Sequence, residues 1–74
     1  MPPEDDGRIR CRLAELLEER NMTLTELASR VGMSLVNLSV LKNDRARAIR
    51  FSTLTAICDA LDCQVGDLLV VDPA

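Results

Sequence analysis

The amino-acid sequence predicts an all-α domain of five short helices, with one short terminal β pairing open to it. Three observations lead there. In several separated stretches, apolar residues recur at the i, i+3, i+4, i+7 spacing that gathers them on one helix face. Thr23, Ser34 and Ser52 open three of those stretches, and hydroxyl side chains of this kind cap helix N-termini. Gly32 and the Asn43-Asp44 pair punctuate the chain between helices, and the only strand-prone runs are short, at residues 8–12 and 69–71.

Residues 1–7, MPPEDDG, combine prolines, acids and a glycine, which reads as a disordered tail ahead of one folded domain at 8–74. Helix 1 draws on Ile9, Leu13, Leu16 and Leu17 and stops near Asn21. Its first part has a second reading, because Ile9, Cys11 and Leu13 alternate with Arg8, Arg10 and Arg12 at the period of a strand. Such a strand can pair with Leu69 to Val71, within the chain or across a dimer. Helix 2 spans about 24–31 behind a capping box, with Thr23 accepting from the Glu26 backbone N–H and the Glu26 side chain reaching back to Thr23. Gly32 then turns the chain, since a positive φ costs glycine nothing. Helix 3, capped by Ser34, runs to about Lys42. Leu27, Ala28 and Val31 before the joint, and Met33, Leu38 and Leu41 after it, can turn toward one core, so the unit is two crossed helices. Asp44 to Arg50 has no apolar period and reads as a loop. Ser52 caps helix 4, whose stripe is Leu54, Ile57, Cys58 and Leu61, and Phe51 is expected to anchor its start in the core. Val65 to Leu69 makes a fifth helix of one turn, with Asp67 favourable near its N-terminus.

A chain of 74 residues that is 47% hydrophobic and 28% charged is globular, yet its core is small. A domain this size buries only about 60% of the surface that its unfolded chain exposes, so a second copy that covers more of it is favoured. No apolar run approaches the roughly 20 residues of a membrane span. The start MPPEDD has neither a basic nor an apolar signal region, and a soluble cytoplasmic protein is expected. Cys11, Cys58 and Cys63 are odd in number and scattered, and there is no histidine. They read as three small buried thiols, with neither a disulfide framework nor a metal site. The missing histidine, the absence of a Gly-rich phosphate loop and the lack of a nucleophile-base pair argue against an enzyme, and no cofactor or small-molecule ligand is implied.

The stretch from Thr23 to Asn43, TLTELASRVGMSLVNLSVLKN, carries a resemblance. In MTLTELASRVGMS, the residues Leu27, Ala28, Val31, Gly32 and Met33 match the apolar-Ala-apolar-Gly-apolar core of the phage-repressor-like (Cro/CI, Xre-type) helix-turn-helix transcriptional regulators. Leu38 and Leu41 match that family's helix 3 core positions, and ALDCQVGDLL matches its usual close. The chain resembles the small stand-alone members over about Ile9 to Leu69. The resemblance implies a five-helix lambda-repressor-like DNA-binding domain that regulates transcription, binding double-stranded operator DNA through the major groove as a homodimer. Two departures stand out: Leu24 and Leu35 occupy the first positions of helices 2 and 3, where the family often has polar contact residues.

With the core positions assigned, the base-facing candidates are Ser34, Leu35, Val36, Asn37, Ser39 and Val40. Asn37 can pair bidentately with adenine or bind phosphate, Ser39 can donate to either, and the apolar three can only contact thymine methyls. The phosphate candidates are Thr23 and Thr25 on helix 2, then Lys42, Asn43, Arg45, Arg47 and Arg50. Four of these are cations that crowd into nine residues with only Asp44 opposing, in a chain whose net charge is −3. This local excess offsets the acidic total where a DNA backbone would pass. Arg8, Arg10 and Arg12 form a weaker basic set that can touch a phosphate or pair with Glu15 and Glu19. With one Phe and no Trp or Tyr, the chain lacks the aromatic platforms of single-strand and RNA binders. The apolar three can also be structural, packing on Phe51 or on a partner chain, and the alternative function is a protein-interaction module, adaptor or antitoxin-like, that uses Leu35, Val36 and Val40 as its sticky face.

Overall fold

A short antiparallel ribbon ties the two ends of the domain together. In the computed structural model, which describes residues 8–43, 46 and 48–73, β1 (Ile9–Cys11) pairs with β2 (Leu69–Val71). The register is Ile9↔Val71, Arg10↔Val70 and Cys11↔Leu69. The ladder continues at both ends, where the Arg12 N–H donates to the Leu68 carbonyl at 2.7 Å and the Asp72 N–H to the Arg8 carbonyl at 2.8 Å. The strand reading of residues 8–12 therefore holds, within one chain, and the first helix starts at Leu13 instead of Ile9. Cys11 is buried while Ile9 and Arg10 stay exposed, so alternation alone does not account for the strand; the ribbon forms because it satisfies backbone groups at both ends of the domain. The tail expected at 1–7 lies outside the described residues.

Five helices lie between the two strands in chain order: α1 (Leu13–Glu19), α2 (Leu24–Val31), α3 (Leu35–Lys42), α4 (Phe51–Leu61) and α5 (Val65–Leu68). Each contributes a side chain with no exposed surface, namely Leu13, Leu27, Leu38, Ile57 and Leu68. Truncating any of these to Ala costs about 2–5 kcal/mol, a large part of the about 5–15 kcal/mol that holds a domain folded. Met22, Leu24, Val31, Met33 and Ile49 pack half-buried around that centre.

The helix ends follow the caps in part. Thr23 Oγ1 accepts from the Glu26 N–H at 3.0 Å and Ser34 Oγ from the Asn37 N–H at 3.1 Å, as their positions require. The reciprocal half of the α2 capping box is replaced, because the Glu26 carboxylate turns to Arg30, one turn along the helix, at 2.9 Å. Ser52 does not cap α4. Arg50 takes the N-cap position with no side-chain cap bond, and the helix starts one residue earlier than Ser52, at Phe51. Phe51 is itself 85% exposed, so it does not anchor α4 in the core; Ile49, two residues before it, packs there. The α5 start is held by the Gln64 N–H, which donates to Asp67 Oδ2 at 3.0 Å.

Arg10 and Arg12 join the ribbon to α1 instead of forming a free basic set. Arg10 lies 3.6 Å from Glu15 and 3.4 Å from Asp72, while Arg12 Nε donates to Glu15 at 2.9 Å. The hydrogen bond to Glu15, and its charge, push the Arg12 guanidinium further into its charged range. Of the cysteines, Cys11 and Cys58 are buried as expected, whereas Cys63 is only half-buried.

Candidate nucleic-acid interface

The joint between α2 and α3 determines what α3 can present. Gly32 adopts φ 72°, ψ 28° in the left-handed region, and its N–H closes on the Ala28 carbonyl at 3.0 Å. The Met33 N–H takes the same carbonyl at 3.2 Å, so α2 ends in two bonds to one acceptor. Ser34 then restarts the helix in a new direction. Leu38 and Leu41 face inward, and the opposite side of α3 is left to solvent.

Two depressions flank that outer side. One, of about 550 Å³, separates α3 from the segment leading into α4; Ser34, Asn37, Val40, Arg50 and Thr53 are among its walls. The other, of about 380 Å³, is lined by Leu35, Val36, Ser39, Val40 and Asn43. Val40 stands on the ridge between them. Leu35, Val36, Val40 and Asn37 are exposed and Ser39 is half-buried. The Asn37 carboxamide takes no hydrogen bond among the described residues and lines the larger depression beside Arg50. Asn43 Nδ2 donates to Ser39 Oγ at 3.3 Å, which ties those two polar groups to each other.

The remaining candidates lie at the margins. Thr23 and Thr25 are exposed at the start of α2, with Thr23 Oγ1 already serving as the cap. Lys42 is exposed in the last turn of α3 and Arg50 at the α4 N-cap. Arg45 and Arg47 lie outside the described residues. Sequence reasoning missed the wall formed by Ala46, Ala48, Ile49 and Thr53, because a loop without apolar period gives no signal of which side it turns inward. It also missed that Leu24, the first residue of α2, is half-buried against the core. Its hydrophobicity at a position often polar in the resembling family was the available signal.

Known proteins share this arrangement. A family described as the Cro/C1-type HTH DNA-binding domain matches residues 12–74. The chain belongs to that family. The matched span covers all five helices and β2 of this Cro/C1-type domain and begins just after β1. A Bacillus subtilis (strain 168) protein described as an uncharacterized HTH-type transcriptional regulator, YozG, is 59% identical over 54 residues, 73% of this chain. The match spans 64% of that relative's length, a little under two thirds. Among solved structures, the transcriptional regulator VanUg superimposes with a TM-score of 0.73 at 31% identity, covering 90% of this chain and 88% of that one. The Cro/C1-type domain thus has the lambda-repressor-like five-helix fold with a short two-stranded ribbon, in a family of DNA-binding domains and not of enzymes. Among the described residues, no helix is long and apolar enough to cross a membrane.

Proposed function

We propose that this Cro/C1-type domain is a sequence-specific, double-stranded-DNA-binding transcriptional regulator that reads the major groove with α3 and acts in the cytoplasm as a homodimer. The observation that carries the reading is the outer side of α3. It is a solvent-facing helix surface standing clear of the core, with cations at the margins, which is how a recognition helix meets a groove. In this arrangement Val36, Asn37, Ser39 and Val40 approach base edges, Ser34 and Leu35 enter with the first turn, and Thr23, Thr25, Lys42, Asn43 and Arg50 meet the sugar-phosphate backbone. Arg45 and Arg47, outside the described residues, add charge to the stretch of sequence between Lys42 and Arg50. A second copy supplies the other half-site.

Selection of bound sites from a pool of random duplexes tests the proposal. Enrichment of a palindrome with two half-sites, bound by two chains, is the expected result. Retention of all duplexes with equal affinity would rule the reading out. The exposure of Leu35, Val36 and Val40 also favours a second reading, a protein-interaction module, since clustered apolar side chains often mark protein contacts. Under that reading Val40→Asp abolishes self-association or partner binding and leaves DNA binding unchanged.

A further inference from the structure

The apolar reading face has a chemical consequence for what it selects. Leu35, Val36 and Val40 are 46%, 71% and 37% exposed, and with Ser39 and Asn43 they line one shallow depression. Among the described residues, neither a carboxylate nor a guanidinium contributes to that lining. The two polar side chains in it are turned toward one another, at 3.3 Å. The described part of this lining holds no Arg or Lys to pick out guanine, and what it offers is a small apolar recess. In the major groove the apolar feature of a base pair is the C5-methyl of thymine.

Charge favours a duplex over an apolar protein as the occupant. Lys42 lies in the last turn of α3, and Arg50 lines the depression on the other flank of Val40. An apolar strip bordered by cations complements a groove whose floor carries methyls and whose rims carry phosphates.

Resting on the DNA-binding reading above, we propose that Leu35, Val36 and Val40 form a thymine-methyl reader, so that this domain discriminates bases chiefly by burying C5-methyl groups. Val36 and Val40 stand one turn apart, about 6 Å along the helix axis, and address separate methyls. Leu35 closes the recess at the start of the helix. Asn37, on the opposite flank, contributes its hydrogen bonds from the larger depression.

The test uses the full chain and duplexes enriched from a random pool, resynthesised with deoxyuridine in place of thymine at one position at a time. That exchange removes one methyl and leaves every base-pairing group and phosphate in place. Each methyl that the face buries should weaken binding about fourfold on removal. Val36→Ser and Val40→Ser should each erase the preference for thymine over uracil at a different position, while their melting temperatures stay near the parent's because both side chains are exposed. Equal binding of thymine and uracil duplexes at every position, with sites still enriched, overturns the methyl reader and leaves DNA binding standing. Failure of any duplex to be enriched, with no salt dependence of binding, overturns both. Loss of self-association in Val36→Ser by sedimentation, with the thymine preference unchanged, assigns the face to contact between copies and overturns the proposal.

Discussion

The Arg20 guanidinium holds the carboxyl end of α4 through the carbonyl of Leu61, a residue 41 positions away, while its second arm reaches the Asp62 carbonyl at 3.3 Å. Leu61 is the last residue of α4 and Asp62, in the left-handed conformation, its C-cap. A cation there both occupies acceptors that the helix leaves unpaired and faces the negative end of the helix dipole.

Arg20→Ala removes this link and should destabilise the domain by about 2 kcal/mol, because hydrogen bonds to charged groups contribute about 1.5–3 kcal/mol. For a domain of this size that corresponds to a fall of about 8–16 °C in melting temperature, measurable by calorimetry or circular dichroism. Arg20→Lys keeps the charge but not the two-armed donor geometry, so it should recover only part of the loss.

Gly32→Ala isolates backbone strain from packing. A Cβ at this position meets nothing within 4 Å, so the cost of the change comes from holding an L-residue at φ 72°. That cost is about 1–2 kcal/mol. Gly32→Asn should lose less, since Asn tolerates the left-handed region better. Urea midpoints of the two variants check the order, and a loss in Ala no larger than 0.5 kcal/mol would contradict the assignment of strain to the joint.

This joint was also the most legible part of the sequence, and the contrast with the start of α4 explains why. Thr23, Ser34 and Gly32 each act on backbone groups within a few residues of themselves, so their identity alone fixes where α2 ends and α3 begins. Phe51 and Ile49 flank Arg50, and either could pack inward; the direction of the loop decides, and that direction depends on contacts with distant helices. The β1 strand had two readings for the same reason. Its alternating sequence suits a ribbon only once Leu69 to Val71 has been brought beside it. Within the candidate interface, the inward positions Leu38 and Leu41 could be read from spacing. The mutual hydrogen bond of Ser39 and Asn43 could not, because it depends on side-chain rotamers.

Electrostatic binding should leave a measurable salt slope. Each phosphate neutralised contributes about −0.9 to the slope of log K against log salt, so a dimer using three per subunit gives about −5. Arg50→Ala should reduce the magnitude of that slope by about 2 in the dimer, at one phosphate per subunit, and weaken binding to all duplexes alike. A loss confined to one sequence would place Arg50 at a base edge instead of the backbone. Anisotropy titrations over a range of salt concentrations distinguish the two.

Cys63 should make the stability of the fold depend on alkaline pH. Burial chiefly, and then the neighbouring Cys58, push the Cys63 thiol up from 9.0 to about 11. The folded state therefore keeps its proton over a range in which the unfolded state has lost it. Because the native state binds more protons there, stability declines as pH rises from about 9 and levels off above about 11, with no contribution from this group at neutral pH. Urea unfolding at pH 8, 9, 10 and 11 should trace that decline, and Cys63→Ala should lessen it. The same proton retention makes Cys63 slow to alkylate at pH 8, since only the thiolate is nucleophilic. Iodoacetamide labelling followed by mass spectrometry should therefore find Cys63 reacting more slowly in the folded domain than in urea at the same pH. A folded-state rate equal to that in urea would show that burial does not hold the proton.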